Sequence, residues 1–261
     1  MNEVNYYFGN GNYKDVLACM ATTKVNSYKT SSLPLAQFWN PANKELSRFL
    51  VKCNKEGLDI SLGDRYFEYP TPCVDDNGEE LLYSYPSMTD LMILNETYQV
   101  AIEAKYTEYS ESHYETIAEW LGEGLPHKKA IKQRWFDYIK DCGATYKTIL
   151  DESIPYQFLH RTASACYKCE NRKSVLIYQL FFDKENEKKK DEFVGQLEQW
   201  AHLLGLTDKI RFMIIEVEIK NIGDVKMKYD GIRSDLFLIM RKIKEIYKFD
   251  WKNIKIMDIK L

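Results

Sequence analysis

The chain has 261 residues, 45% of them apolar and 29% charged, a balance that suits a globular protein with a buried core in one large domain or two small ones. No run approaches the ~18 apolar residues that cross a bilayer, and the first residues, Met1 to Tyr7, lack the basic and apolar regions of a signal peptide. No membrane partner and a cytoplasmic location are therefore expected, and a net charge of −3 means that any polyanion must be met by a local patch.

Residues 1–32 are rich in Asn, Tyr, Ser and Thr without a sustained period, and residues 1–39 are read as an extension packed on a single domain spanning 40–261. Asn40-Pro41 has the form of a helix cap and first turn, with Leu46, Phe49, Leu50 and Cys53 at helical spacing and Gly57 as the stop. Glu45 stands beside the inner face of this helix, either as a solvated flank residue or as an acid leaning towards a site. A first strand is expected over Leu58–Tyr69, ending at Pro70-Thr-Pro72. Asp75-Asp-Asn-Gly78 reads as a polar turn, since no calcium-ligand repeat follows it, and it leads into Leu81–Tyr85.

The stretch Ser87–Tyr106 reads as two short strands joined by a tight turn at Asn95-Glu-Thr97. Asp90 lies on the first. Glu103 and Lys105, two apart near the end of the second, must share one face, while Val100, Ile102 and Ala104 take the other.

Ser112-x-x-Glu115 has the form of a capping box for a helix ending near Gly122 and Gly124. His127–Cys142 follows as a helix with Ile131, Trp135, Tyr138 and Ile139 inward. Its outer residues Lys128, Lys129, Lys132 and Arg134 form either a solvated face or a set of phosphate contacts. A helix from Pro155 carries a polar stripe of Gln157, His160, Arg161, Ser164 and Lys168 beside the small residues Ala163–Ala165. Ser174–Phe182 is the near-continuous apolar run of an interior strand. Asn186–Gly205 is an amphipathic helix whose basic start, Lys188–Lys190, reads either as a ligand contact or, more readily, as a surface tail of the loop. Ile210–Ile219 is a buried strand, Ser234–Tyr247 a helix, and Asn253–Lys260 an alternating edge strand. Among the six cysteines, expected as free thiols, Cys166-x-x-Cys169 is the one close pair; without a second such pair it reads as two thiols on one helix rather than a zinc site. The order of elements implies an α/β fold with a mixed central sheet flanked by helices.

A carboxylate pair meeting a lysine at a sheet surface suits phosphodiester hydrolysis. Mg2+ needs only one or two carboxylates plus waters and substrate phosphate, and it supplies Lewis acidity and an activated water. Asp90 and Glu103 are the candidate ligands, the backbone carbonyl of Ala104 a third, and Lys105 the candidate holder of the water. The pattern Asp90, twelve residues, Glu103-Ala-Lys105, on adjacent strands after a helix, resembles the PD-(D/E)XK nuclease superfamily over residues 40–220. Phe67-Glu-Tyr-Pro-Thr-Pro72 and Ile102-Glu-Ala-Lys-Tyr-Thr-Glu108 add to the likeness, while Thr89 stands where the family usually has proline.

The resemblance implies a restriction-endonuclease-like core and Mg2+ (with Mn2+ as substitute) bound by Asp90, Glu103 and the Ala104 carbonyl, with an acid from the preceding helix, Glu45, as a further ligand. It also implies Lys105 assisting the water, and Gln157, His160 or Arg161 in the cleft; Lys128 and Lys132 are added as phosphate contacts. The expected function is that of a DNA endonuclease of restriction or anti-phage defence type, working as a homodimer where both strands are cut. The alternatives are a nucleic-acid-binding or effector-assembly module with little turnover, and a nuclease acting on RNA.

Overall fold

The computed structural model describes residues 4–8, 16, 20, 27–109, 115–122, 125–144, 153–205, 209–231, 238 and 242–259. Among these residues seven strands form one sheet in chain order: β1 (Tyr6–Tyr7), β2 (Asp64–Thr71), β3 (Ser87–Leu94), β4 (Tyr98–Lys105), β5 (Lys173–Phe182), β6 (Ile210–Glu218) and β7 (Lys255–Asp258). The pairs β1–β2, β4–β5 and β5–β6 are parallel and the others antiparallel, so the sheet is mixed. Helices cover both faces. On one lie α1 (Ser32–Phe38), α2 (Lys44–Lys55) and α7 (Ile222–Asp230). On the other lie α3 (Ile117–Leu121), α4 (Pro126–Asp141), α5 (Tyr156–Cys166) and α6 (Glu187–Leu203).

The predicted alternation along β4 is seen in the packing. Val100, Ile102 and Ala104 enter the α2 core, and Ala101 the α5 core. The turn between β3 and β4 is held by the Asn95 side chain, whose Oδ1 accepts from the N–H groups of Thr97 (2.9 Å) and Tyr98 (2.7 Å). Gly63, with φ 149°, lets the chain enter β2 beside this turn, because a Cβ there would stand 3.0 Å from the Leu94 carbonyl oxygen.

Several boundaries differ from the sequence reading. The α2 cap is Asn43, whose side chain accepts from Glu45 N–H at 3.1 Å, three residues beyond the expected Asn40. The expected strand from Leu58 begins only at Asp64, with Leu58 and Ile60 buried ahead of it. The capping box is formed by Thr116 and Glu119; Ser112 lies outside the described residues, as do 234–237 and 239–241 of the expected helix 234–247, of which Ile243–Glu245 forms a 3-10 turn. Ile222–Asp230 forms α7, which the sequence reading missed. Lys190 is no surface tail: it is buried, 2.7 Å from Glu216 Oε1 and over the Phe182 ring. The Cys pair does not share a helix, since α5 ends at Cys166 and a tight turn carries Cys169 back against α4.

A candidate active site at a fork in the sheet

Strands β3 and β4 pair from Leu94↔Gln99 down to Leu91↔Ile102 and then separate. Beyond that point β3 stays with β2 as far as Thr71↔Ser87, while β4 stays with β5 as far as Lys105↔Leu180. A kink accompanies the split. Glu68 on β2, level with Asp90, has the left-handed φ of 51°. Tyr66 and Tyr69, three apart and so due to face opposite ways, instead bring their rings to 5.6 Å. A non-glycine residue with such a backbone costs about 1–3 kcal/mol.

Asp90 spans the fork. Its Oδ2 accepts from the Ala104 N–H at 2.8 Å, taking the place of a ladder partner on β3. In an extended residue N–H and C=O point to the same side of the strand, so the Ala104 carbonyl faces the same opening. Glu103, only 2% exposed, points to the α5 side. Its Oε1 accepts from Lys105 Nζ (2.7 Å) and Gln157 Nε2 (2.9 Å), and its Oε2 lies 2.6 Å from Arg161 Nε. Arg161 Nη1 donates to Ser87 Oγ at 2.8 Å, and the same hydroxyl meets His160 Nδ1 at 2.8 Å and Ser164 Oγ at 2.9 Å. Of the stripe read from the sequence, Gln157, His160, Arg161 and Ser164 are thus turned inward, where short residues let α5 lie close to the fork, while Lys168 lies beyond the end of α5 and is exposed.

The two acids are treated unequally. Burial would raise the Glu103 carboxyl, but Arg161 and then Lys105 outweigh it and hold it below its ordinary value. Asp90 is left without that compensation: burial, then the charge of Glu103, pushes it up to about 8 despite Lys105 and Arg161. His160 is kept neutral by burial and then by the charges of Arg161 and Lys105. With Asp90 protonated, the cluster of Glu103, Lys105 and Arg161 carries a net positive charge suited to a phosphate.

The structure therefore brings together Asp90, Glu103, Ala104, Lys105, Gln157 and Arg161, with His160 one step behind against Ser87. It does not bring Glu45, which lies on the opposite face of the sheet, 2.6 Å from Arg48 and beside a cleft lined by Phe249 and Trp251. Lys128 is turned onto Trp120, donating to its carbonyl with Nζ 5.5 Å from the ring centre, and Lys132 is half-buried one turn further along α4. Two participants escaped the sequence reading. Glu68 is buried and its charge is among those raising Asp90; an acid inside an aromatic strand was its only signal. Ser87 gave none.

Among the described residues no group of three or more His, Cys, Asp or Glu side chains is disposed to hold a metal ion. The donors at the fork are nevertheless hard oxygens, and Asp90 is a carboxylate short of a counter-charge. Mg2+ is commonly held by one or two carboxylates with water and phosphate completing its shell, a requirement that Asp90, the Ala104 carbonyl and Glu103 fit. No helix among the described residues is long and apolar enough to cross a membrane. No curated protein and no solved structure matches the chain. A family profile described as a domain of unknown function, DUF6946, matches residues 11–225, and the chain belongs to that family.

Proposed function

We propose that this protein is a Mg2+-dependent nuclease acting on DNA, an endonuclease of restriction or anti-phage type built on a PD-(D/E)XK core. The observation that carries the reading is the fork, where an acid from one strand and an acid and a lysine from its neighbour share one opening, backed by Gln157 and Arg161. Asp90, Glu103 and the Ala104 carbonyl are the residues that would hold the cation, which supplies Lewis acidity and a lowered water pKa when bound. Asp90 must give up its proton for that, and a neighbouring positive charge favours the loss. Lys105 Nζ, within the same opening, orients the attacking water and favours its hydroxide form. Arg161 and Gln157 are placed to neutralise and position a phosphate oxygen, Arg161 by exchanging part of its pairing with Glu103. Ser87 holds the Arg161 guanidinium in plane for that exchange.

The test is cleavage of plasmid and linear DNA by purified protein with Mg2+ or Mn2+, alongside Asp90→Ala. Activity that depends on the cation and disappears in the variant supports the reading; intact DNA in all arms refutes it. One observation favours a second reading, a nucleic-acid-binding module with little turnover: both Glu103 oxygens are already engaged and the side chain is almost wholly buried. Calorimetric titration with Mn2+ separates the two, since an active site binds the ion and loses it on Glu103→Ala.

A further inference from the structure

Cys142 and the close pair Cys166 and Cys169 meet at the end of α5 remote from Gln157. Cys142 caps the C-terminal end of α4, Cys166 is the last residue of α5, and Cys169 follows it. Between them Tyr167 (φ −60°, ψ 120°) and Lys168 (φ 50°) make a tight reversal of type II form, closed by Cys169 N–H donating to the Cys166 carbonyl at 3.2 Å. That reversal places Cys169 Sγ 3.1 Å from Cys142 Sγ.

The protons on these groups can be assigned by elimination. Ser174 Oγ donates its one proton to the Ala165 carbonyl at 2.9 Å, so at its 2.9 Å contact with Cys142 it must accept. Cys142 therefore donates to Ser174, and Cys169 donates to Cys142. Both sulfurs are reduced and already nearer than two non-bonded sulfurs usually approach, with the backbone of each held by a helix end or a turn. Cys166 and Cys169 also line a surface cleft of about 490 Å³, shared with Asp75, Arg134 and Tyr138, which is wide enough for a small oxidant.

We infer that Cys142 and Cys169 form an oxidisable dithiol, closed into a disulfide by oxidants of the peroxide class that reach Cys169 through this cleft. In the first step Cys169 thiol and peroxide give a sulfenic acid and one water. In the second, Cys142 sulfur attacks the Cys169 sulfur, an S–S bond forms, and the hydroxyl leaves with the Cys142 proton as a second water. Two electrons pass from the thiols to the peroxide. The bond ties α4 to the turn after α5 and so pins the far end of the helix that carries Gln157 and Arg161. The contact with Cys166, together with burial, pushes the Cys142 thiol up to about 12, so closure is slow and suits sustained rather than brief oxidation.

The experiment treats the full chain with hydrogen peroxide for hours, alkylates remaining thiols in denaturant, and maps cross-linked peptides by mass spectrometry. The expected result is loss of two alkylatable thiols, a Cys142–Cys169 cross-linked peptide, and a melting temperature raised by about 5 °C or more that returns with dithiothreitol. Cys142→Ser and Cys169→Ser should each show neither the cross-link nor the shift; having two such variants guards against one failing to fold. Six alkylatable thiols after treatment, or a cross-link joining other cysteines, would overturn the inference.

Discussion

Asp90 is a carboxyl whose charge the fold resists, and Asp90→Asn puts a number on that. The amide keeps an oxygen to accept from Ala104 N–H and removes the ionisation. Without a divalent cation, folded Asp90 titrates at about 8 against an ordinary value of 3.8. The folded state therefore holds a proton that the unfolded chain has released throughout that window. The sign follows from this: the stability is fully present below the unfolded value and is lost as pH rises through the folded one. At pH 7 the ~3 units above the unfolded value correspond to about 4 kcal/mol. Asp90 is only half-buried by surface, so solvent screening trims this to about 2–3 kcal/mol. In chelator, urea denaturation at pH 7 should show Asp90→Asn more stable by that amount, the difference shrinking to about half near pH 5.5. Glu103, held low, is ionised in both states above pH 5.5 and leaves that range undisturbed. A variant no more stable than the parent at pH 7, or a difference independent of pH, would refute the account of an uncompensated carboxylate.

Glu103→Gln strands Lys105 and Arg161 in a buried site and should cost about 3–5 kcal/mol by denaturation at pH 7; a loss below 1 kcal/mol would mean solvent already screens the pairs. Lys190→Ala leaves Glu216 with the exposed Lys255 alone, at 3.1 Å. That loss should be about 2–3 kcal/mol, measured the same way. Two glycines make a matched contrast in thermal melts. Gly63→Ala meets the Leu94 carbonyl in a left-handed backbone and should lose about 2 kcal/mol. Gly195→Ala, facing open space on α6, should gain about 0.5–1 kcal/mol.

What the sequence made legible follows from periodicity. A strand alternates sides by necessity, so Glu103 and Lys105 had to share a face, and the near-continuous apolar run of β5 had to lie inside. The inward turn of Arg161 was open to inference because the residues next to its stripe are small. Glu68 was not legible, since its role depends on one left-handed φ that no local pattern announces in a glutamate. Lys190 was misread because a run of three lysines looks solvated, and only the register that sets Glu216 opposite Leu180 buries the third of them. The two readings of Glu45 were not separable for a related reason: helical spacing gives the side of a helix that faces inward, not which face of the sheet the helix covers. α7 was missed because it buries only Val225 and Tyr229, too little for a period to stand out.

The sheet's borders have a consequence for self-association. Among the described residues its outermost strands are two and four residues long, and the second is bounded by Lys255 and Asp258. Along these two strands themselves few amides are open, so an incoming strand finds little there to template on, and charged ends make the approach still less favourable. Addition of a strand to β1 or β7 is therefore disfavoured, and the split between β3 and β4 remains the part of the described sheet that is open to another macromolecule.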